Sequence, residues 1–288
     1  MAPDVPPFVD PAWLRAHRDD PDLVLADVRW YLDGRSGQAA YAAGHLPGAV
    51  YVELDGYLAG PPGPRAGRHP LPDPEVFAEG MAAAGIGDDT LVIAYDDAGG
   101  VIAARLVWLL RVTGHPAALL DGGLLGWPGP HATEPPPVAR RRFTVQPWPA
   151  ARLASIDEVT DPGLIVLDAR PAERYRGEQD DVDPRLGHIP GARSLPCREN
   201  VDDTGRLLPE PVLRERLAAL GVPAREGADA GEPAAAVVSY CGSGVTACHT
   251  LLVLEHLGLG RGRLYPGAWS QYSHTDRPAE MGPGAGWR

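Results

Sequence analysis

Four short motifs recur in the two halves of this 288-residue chain at a nearly constant spacing. The matched pairs are, in chain order, 25–29 with 166–170, 44–49 with 187–192, 95–96 with 240–241 and 120–125 with 264–269. Their offsets run from 141 to 145 residues, a spread too narrow for four independent coincidences. The chain is therefore predicted to be a duplicated domain, and each half must fold in the same way.

Each half alternates short apolar runs with segments of helical spacing. The runs 23–29 and 91–95 are too short for helices, whereas 101–112 has the length and apolar content of a buried helix. Strands that alternate with helices favour a parallel sheet with helices on both faces. The predicted fold class is therefore α/β, with two tandem domains that each contain a parallel β-sheet flanked by helices.

The segment between the halves is rich in proline and charge and has no apolar period, which is typical of a semi-extended linker. The predicted domains are 1–127 and 151–288, joined by a linker over 128–150.

Composition excludes several classes of protein. Lys+Arg 26 against Asp+Glu 38 gives a net charge of −12, which disfavours binding to nucleic acid or to an anionic membrane. The N-terminus has no signal-peptide pattern, and no apolar run is long enough to cross a bilayer. The three cysteines form neither a disulfide framework nor a zinc motif. These features predict a cytoplasmic protein without a metal or organic cofactor.

One cysteine has the surroundings of a nucleophile. Cys241 follows an apolar run at 234–238 and precedes a helix-like segment, so it is predicted at the mouth of a strand–loop–helix turn. Gly242 and Gly244 let the backbone curl so that N–H groups point inward, and Ser243 and Thr246 add hydroxyl donors. Such a loop stabilises a thiolate. The alternative is a buried structural thiol.

The second half, with its CGSGVTA loop, and the matching GHxPGA turns resemble the two-domain rhodanese and 3-mercaptopyruvate sulfurtransferase family. This resemblance implies that Cys241 takes a sulfane sulfur from a small-molecule donor as a persulfide. A thiol, cyanide or a thioredoxin-like protein then accepts that sulfur. The first half has Asp96 at the equivalent position, and a carboxylate cannot carry a transferable sulfur. The first domain is therefore expected to be non-catalytic.

The loop residues bear on the choice of donor. Thiosulfate-type members of the family usually carry bulky or basic residues after the cysteine, whereas Gly242 and Ser243 provide room and a hydroxyl without charge. This favours 3-mercaptopyruvate, with thiosulfate as the alternative donor. The predicted anion-binding and substrate-binding residues are Gly242, Gly244, Val245, Thr246, Arg174 and Arg185. Arg174 matches a family arginine that binds the acid group of the donor, whereas Arg185 lies too close to Gly187 to align cleanly with a second one.

The resemblance also implies a proton-handling group made of Ser243, Asp55 and His69. A histidine has the pKa range to move a proton near pH 7, and Asp55 at a strand end is placed to orient it. The alternatives are that Asp55 caps a turn and that His69 is a solvated loop residue.

Other singled-out residues are expected to be structural. His45 and His188 occupy equivalent turns, including the turn in the half without a cysteine, so their duplication argues against catalysis. Trp269 and Tyr272 are predicted to be core or pocket wall. Cys248 is expected to be packed as a small apolar residue, and Cys197 to be accessible but not activated.

Two other functions fit parts of the sequence. A cysteine-dependent phosphatase needs an arginine six residues after the nucleophile, and this chain has Ala247 there. A sulfur-carrier or binding module would store a persulfide without turnover. Turnover of a donor that depends on Cys241 distinguishes the enzyme from the carrier.

Overall fold

The computed structural model describes residues 5–224 and 236–284. They form two compact units, and the boundaries of these units do not coincide with a single division at the linker. Unit 1 comprises the described parts of Met1–Gly60, Leu71–Trp148 and Val201–Leu207. Unit 2 comprises those of Pro61–Pro70, Pro149–Asn200 and Leu208–Arg288. Each unit therefore contains a short segment from the other half of the sequence.

Unit 1 contains a five-stranded sheet in the order β1-β5-β4-β2-β3, and all of its strand pairs are parallel. Its strands are β1 Phe8–Val9, β2 Leu23–Asp27, β3 Val50–Tyr51, β4 Leu91–Tyr95 and β5 Ala117–Leu120. Its helices are α1 Pro11–His17, α2 Gly37–Ala43, α3 Pro74–Ala83 and α4 Ala104–Val112, with a short π-helical turn at Leu54–Leu58.

Unit 2 contains a four-stranded sheet in the order β7-β6-β8-β9, and its pairs are also parallel. The strands are β6 Ile165–Asp168, β7 Arg193–Ser194, β8 Val237–Tyr240 and β9 Arg263–Leu264. The helices are α5 Ala172–Arg176, α6 Glu210–Ala219, α7 Ala247–His256 and α8 Ala268–Tyr272, with 3₁₀ turns at Ala150–Arg152, Glu158–Thr160 and Cys197–Asn200.

The central strands are buried on both faces. Every residue of β4 and of β8 is buried, although alternate side chains of a strand point to opposite sides of its sheet. Both sides of each sheet are therefore covered, as parallel sheets require. The predicted α/β class is confirmed for both halves.

The repeated motifs form the same structure twice. In unit 1, Arg29 pairs with the buried Asp27 and donates to the carbonyl of Gly44 at 2.7 Å. In unit 2, Arg170 pairs with Asp168 and donates to the carbonyl of Gly187 at 2.7 Å. In each unit, the arginine thus connects the end of a strand to the GHxPGA turn, which begins at Gly44 in unit 1 and at Gly187 in unit 2.

The two duplicated histidines are structural, as predicted. His45 stacks on Tyr41 with ring centroids 3.9 Å apart, and its Nδ1 lies 2.9 Å from the Tyr41 carbonyl. His188 stacks on Tyr175 at 3.8 Å and contacts the Tyr175 carbonyl at 2.7 Å. Both imidazoles are fully buried, so they brace the turns and do not face a substrate.

Some element bounds differ from the sequence prediction. The strand predicted at 91–95 is β4, but the helix predicted from residue 101 begins at Ala104. The backbone N–H groups of Ile102 and Ala103, just before the helix, donate to the Asp96 carboxylate at 2.7 and 2.9 Å. In the run predicted at 234–238, residues 234 and 235 lie outside the described residues.

Residues 135–149 of the predicted linker have no regular secondary structure, and the linker belongs to unit 1 as far as Trp148. Phe143 stacks on His115, and Thr144 bonds to the Asp88 carboxylate through its backbone N–H at 2.6 Å. The exchanged segment Val201–Leu207 is held there as well, because the Leu207 N–H donates to the Asp121 carboxylate at 2.8 Å. None of the helices in the described part of the chain is long and apolar enough to cross a membrane.

Candidate active site

The loop after β8 has the predicted strand–loop–helix form. Cys241 directly follows β8, and α7 begins at Ala247. Gly244 has φ +79°, and a Cβ there would lie 2.8 Å from the carbonyl oxygen of Pro266. Only glycine fits this position without strain. The turn that Gly244 makes directs its own N–H at the Cys241 Sγ, 3.1 Å away.

The Cys241 side chain is more enclosed than the sequence suggested. The residue is only 2% exposed, so the expectation of a thiol at an open mouth is wrong. The reason is α8, whose first turn lies against the loop: Trp269 N–H donates to the Cys241 carbonyl at 3.0 Å and Ser270 N–H to the Gly242 carbonyl at 2.8 Å.

The Thr246 hydroxyl, which the sequence analysis expected to donate to the Cys241 thiolate, instead interacts with Cys197. Thr246 hydrogen-bonds Cys197, which is itself buried, so the expectation of an accessible Cys197 is wrong. Burial raises the pKa of Cys197 to about 12, and the Thr246 bond opposes that shift. Cys197 therefore stays a neutral thiol at physiological pH. Cys248 is packed as predicted, with its Sγ 3.4 Å from the Gly244 carbonyl.

Ser243 and His69 form the pair that the resemblance implied. His69 Nδ1 lies 2.8 Å from Ser243 Oγ, and both side chains are buried. His69 comes from the first half of the sequence but belongs to unit 2, because the segment Pro61–Pro70 packs there. The solvated-loop alternative for His69 is therefore wrong.

Asp55, the third predicted member of this group, belongs to unit 1. It lies in the π-helical turn, and its carboxylate accepts a hydrogen bond from Trp30 Nε1 at 2.9 Å. Its part in proton transfer remains a prediction.

Two guanidinium groups lie at Gly242, the residue after the cysteine. A Cβ built on Gly242 would be 3.0 Å from Arg68 Nη2 and 3.4 Å from Arg174 Nη1. The loop itself carries no charge, as the sequence indicated, but positive charge is supplied to it from two other segments. The absence of a side chain at residue 242 leaves the space that the guanidinium of Arg68 uses.

These arginines end a chain of alternating charges inside unit 2. Asp183 bridges Arg68 and Arg174 at 2.8 and 2.7 Å. Asp180 in turn contacts Arg174 at 3.0 Å and Arg170 at 3.6 Å. The exposure of the side chains rises along the chain, from 1% at Arg170 to 15% at Arg174 and 25% at Arg68. The network fixes both outer guanidinium groups beside the loop.

Arg185 is used differently. Its guanidinium donates to the carbonyls of Thr275 and Arg277 at 2.7 and 2.9 Å and lies over the rings of Trp269 and Tyr272. These contacts anchor the C-terminal segment, while Trp269 and Tyr272 are fully buried in the core, as predicted. Substrate contact by Arg185 remains a prediction without support from its neighbours.

Comparison with known proteins identifies the family. The rhodanese-like domain model matches residues 10–129 and 153–275, which is most of the chain. The chain belongs to the rhodanese-like family. Its second rhodanese-like region carries the Cys241 loop, and its first carries Asp96.

Relatives of this rhodanese-like chain cover nearly its whole length. It is 40% identical over 281 residues to a Pseudomonas aeruginosa protein named "Probable 3-mercaptopyruvate sulfurtransferase", with 93% of this chain and 96% of that protein covered. It is 35% identical to a Mycobacterium tuberculosis protein named "Putative thiosulfate sulfurtransferase SseB", with 92% of each covered. The solved 3-mercaptopyruvate sulfurtransferase from Leishmania major superposes with a TM-score of 0.81 at 31% identity, over 96% of this chain and 77% of that one.

The first rhodanese-like region holds its own anion where the second has sulfur. The buried Asp96 carboxylate accepts four backbone N–H bonds of 2.7 to 2.9 Å, from Ala98, Gly100, Ile102 and Ala103. Burial raises the pKa of this carboxyl, and the four amide bonds oppose that shift. The side chain fills the loop and leaves no place for a substrate anion.

Three residues of the site were missed from the sequence. Arg68 directly precedes the predicted His69, and that adjacency was the available signal. Asp180 and Asp183 lie between Arg174 and Arg185, where their acidity signalled partners for basic residues elsewhere. Among the described residues, no group of three or more His, Cys, Asp or Glu side chains is arranged to hold a metal ion.

Proposed function

We propose that this protein is a sulfurtransferase that moves a sulfane sulfur from 3-mercaptopyruvate to a thiol or cyanide acceptor through a persulfide on Cys241. The observation that carries the proposal is the convergence on one loop of unit 2 of the Cys241 sulfur, the Ser243–His69 pair and the Arg174 guanidinium. The names of the relatives, which include 3-mercaptopyruvate sulfurtransferases, support the same assignment.

The first half-reaction forms the persulfide. The Cys241 thiolate attacks the sulfur of 3-mercaptopyruvate, an S–S bond forms and the C–S bond breaks. The electron pair of the C–S bond goes to carbon 3 of the donor, and the resulting enolate takes a proton to give pyruvate. The Ser243 hydroxyl, paired with His69, is the protein group placed to deliver that proton.

The second half-reaction restores the enzyme. The acceptor thiolate attacks the outer sulfur, the S–S bond breaks, and its electron pair returns to the Cys241 thiolate. With cyanide the product is thiocyanate. The Gly244 N–H, 3.1 Å from Sγ, stabilises the thiolate that leaves in this step.

Thiosulfate is the second candidate donor. A relative at 35% identity has a thiosulfate sulfurtransferase name, and two guanidinium groups at Gly242 supply cations for a dianion. Asp180 and Asp183 offset both of those charges, however, so the site offers a dianion no net positive charge. A donor with one carboxylate therefore fits this charge balance better.

The test is turnover of each donor with cyanide, measured as thiocyanate, by the wild type and by Cys241→Ser. The serine variant is expected to lose at least about 10³-fold in rate, because its oxygen cannot carry the sulfur. Mass spectrometry of the wild type after donor alone should show one added sulfur.

A protein that gains this sulfur but never turns over would instead be a carrier. A Cys241→Ser variant with full activity would end the proposal. Cys197, whose pKa is about 12, is the internal control for the mass measurement and should stay unmodified.

A further inference from the structure

Ser270 lies in α8 and contacts both of the segments of unit 2 that bring Ser243 and His69 together. Its hydroxyl accepts a hydrogen bond from the Arg68 N–H at 2.9 Å and donates to the Gly267 carbonyl at 3.3 Å. The residue is 4% exposed, so water has little access to its side chain. The Ser270 hydroxyl therefore holds the backbone of the residue directly before His69.

The backbone of the same residue holds the cysteine loop. The Ser270 N–H donates to the Gly242 carbonyl at 2.8 Å, and Gly242 directly precedes Ser243. Ser270 thus binds the main chain just before each member of the pair, whose side-chain atoms His69 Nδ1 and Ser243 Oγ are 2.8 Å apart. The two contacts can be separated by substitution, because replacing the side chain removes the hydroxyl and keeps the N–H.

The segment that carries His69 is packed tightly against α8. A Cβ built on Gly67 would lie 3.1 Å from Ser270 Oγ, so the backbone of the segment runs directly over this hydroxyl. Gln271 holds the segment at a second point, since its Nε2 donates to the Arg65 carbonyl at 2.6 Å. The position of His69 relative to the cysteine loop is therefore set by α8.

The first half of the chain has no counterpart to this hydroxyl. The repeat places Gly126 at the position of Ser270, with an offset of 144 residues, and Ala98 at the position of Ser243, with an offset of 145. The hydroxyl at residue 270 therefore occurs in the half that has the pair, and it is missing from the half that lacks the serine of the pair.

We propose that Ser270 is a positioning residue for the donor half-reaction, because its hydroxyl holds the segment Pro61–Pro70 so that His69 stays within hydrogen-bond distance of Ser243. This inference rests on the proposed function, in which that pair delivers a proton to the enolate. Without the hydroxyl, the Arg68 N–H loses its acceptor, and the segment shifts toward another partner. Transfer of the sulfur to the acceptor does not use the pair.

The test measures the two half-reactions separately in Ser270→Ala. Pyruvate release in a single turnover with saturating 3-mercaptopyruvate reports the first. Thiocyanate formation from cyanide and the persulfide enzyme, freed of donor by gel filtration, reports the second. The matched control is Ser273→Ala, which removes a buried hydroxyl just after α8 whose oxygen has no hydrogen-bond partner among residues 5–224 and 236–284.

Ser270→Ala is expected to slow pyruvate release by about threefold to tenfold, the range that corresponds to one ordinary hydrogen bond. Its second half-reaction should stay within about twofold of the wild type, and Ser273→Ala should match the wild type in both. In a Ser243→Ala background, Ser270→Ala should cause no further loss of pyruvate release, because the pair is already absent and the two effects are not additive.

Equal slowing of both half-reactions would overturn the inference, because Ser270 would then act on the whole loop. A loss in the Ser243→Ala background as large as in the wild type would overturn it too, since the hydroxyl would act by a route other than the pair. A Ser270→Ala variant indistinguishable from Ser273→Ala would likewise overturn it, while leaving the proposed function intact.

A wild-type protein that forms no persulfide from the donor would instead overturn the proposed function. If Ser270→Ala fails to fold by circular dichroism, the same cycle is run with Ser270→Cys, which nearly keeps the volume and has a weaker hydrogen-bonding atom. That variant must still show a loss confined to pyruvate release and dependent on Ser243.

Discussion

The equivalent loops in the two halves of the duplication bind different side chains, the Asp96 carboxylate in unit 1 and the Cys241 sulfur in unit 2. In unit 1, two successive left-handed glycines, Gly99 and Gly100, curl the chain around Asp96, and four N–H groups bind its carboxylate. In the Cys241 loop of unit 2, the left-handed glycine is Gly244, and its N–H donates to the Cys241 sulfur. In the first loop, four backbone N–H groups are already bound to the Asp96 carboxylate. The second retains capacity for a further atom.

The comparison also indicates where such an atom would lie. The carboxylate oxygens of Asp96 are two bonds beyond its Cβ, and the outer sulfur of a persulfide is two bonds beyond the Cβ of its cysteine. We infer that Asp96 occupies in unit 1 the place that the outer sulfur of the proposed persulfide would take in unit 2. Exchanging residues between positions that differ by 145 in number tests this correspondence.

Cys241→Asp, which installs the residue of unit 1, should have the largest effect. Sulfur transfer from 3-mercaptopyruvate should fall by about 10⁴-fold or more, because the carboxylate has no sulfur to transfer. Thiocyanate formation measures the rate, and a thermal unfolding scan shows whether the variant is folded.

The reciprocal variant, Asp96→Cys, is the control. It should still gain one sulfur and not two when treated with donor and weighed intact by mass spectrometry. A second persulfide on residue 96 would break the distinction between the loops.

Ser243→Ala should have the next largest effect, since Ala98 is the residue at the corresponding position of unit 1. The variant removes the hydroxyl that lies 2.8 Å from His69 Nδ1, so kcat for 3-mercaptopyruvate should fall by about 10²-fold. Stopped-flow measurement of pyruvate release reports the affected step. The reverse change, Ala98→Ser, should not alter the rate, and an unchanged Ser243→Ala enzyme would remove the pair from the mechanism.

The smallest effects should come from Gly123 and Ala268, which share a left-handed backbone with φ +51° and +52°. A Cβ on Gly123 would lie 2.5 Å from the Asp96 carbonyl oxygen, so Gly123→Ala should lower the free energy of unfolding by about 1–3 kcal/mol. Ala268→Gly should change it by less than about 1 kcal/mol, because relief of strain offsets lost chain order and a lost methyl contact.

Urea unfolding followed by tryptophan fluorescence measures both changes. The turn at Gly123 has no space for a Cβ, whereas the turn at Ala268 holds one. Equal destabilisation by the two substitutions would contradict this difference.

The fold was predictable because the repeat and the alternation of strands and helices are local patterns. The strand predicted at 91–95 matches the structure at both ends. The helix predicted from residue 101 begins instead at Ala104, and the N–H groups of Ile102 and Ala103 just before it donate to the carboxylate of Asp96, a residue outside the helix. The division into domains also differs, since Pro61–Pro70 and Val201–Leu207 pack in the units opposite to their sequence halves.

Only the site residues that are close together in sequence could be predicted. The Cys241 loop, with Ser243 and the turn at Gly244, follows from adjacent residues. Arg68 and Asp183 are 115 positions apart in sequence, and nothing local in either segment indicates their ion pair. The burial of Cys241 was missed for the same reason, because the covering helix α8 begins 27 residues further along the chain.

Because each unit includes a segment from the other half of the sequence, cleavage at the linker cannot separate the two units intact. A catalytic half excised at the linker would lose Arg68 and His69, which the first half encodes. During synthesis, unit 1 is incomplete until Leu207 has been added, because Val201–Leu207 is part of it. A fragment that ends at the linker and a fragment that begins there would therefore each lack a segment of its own unit.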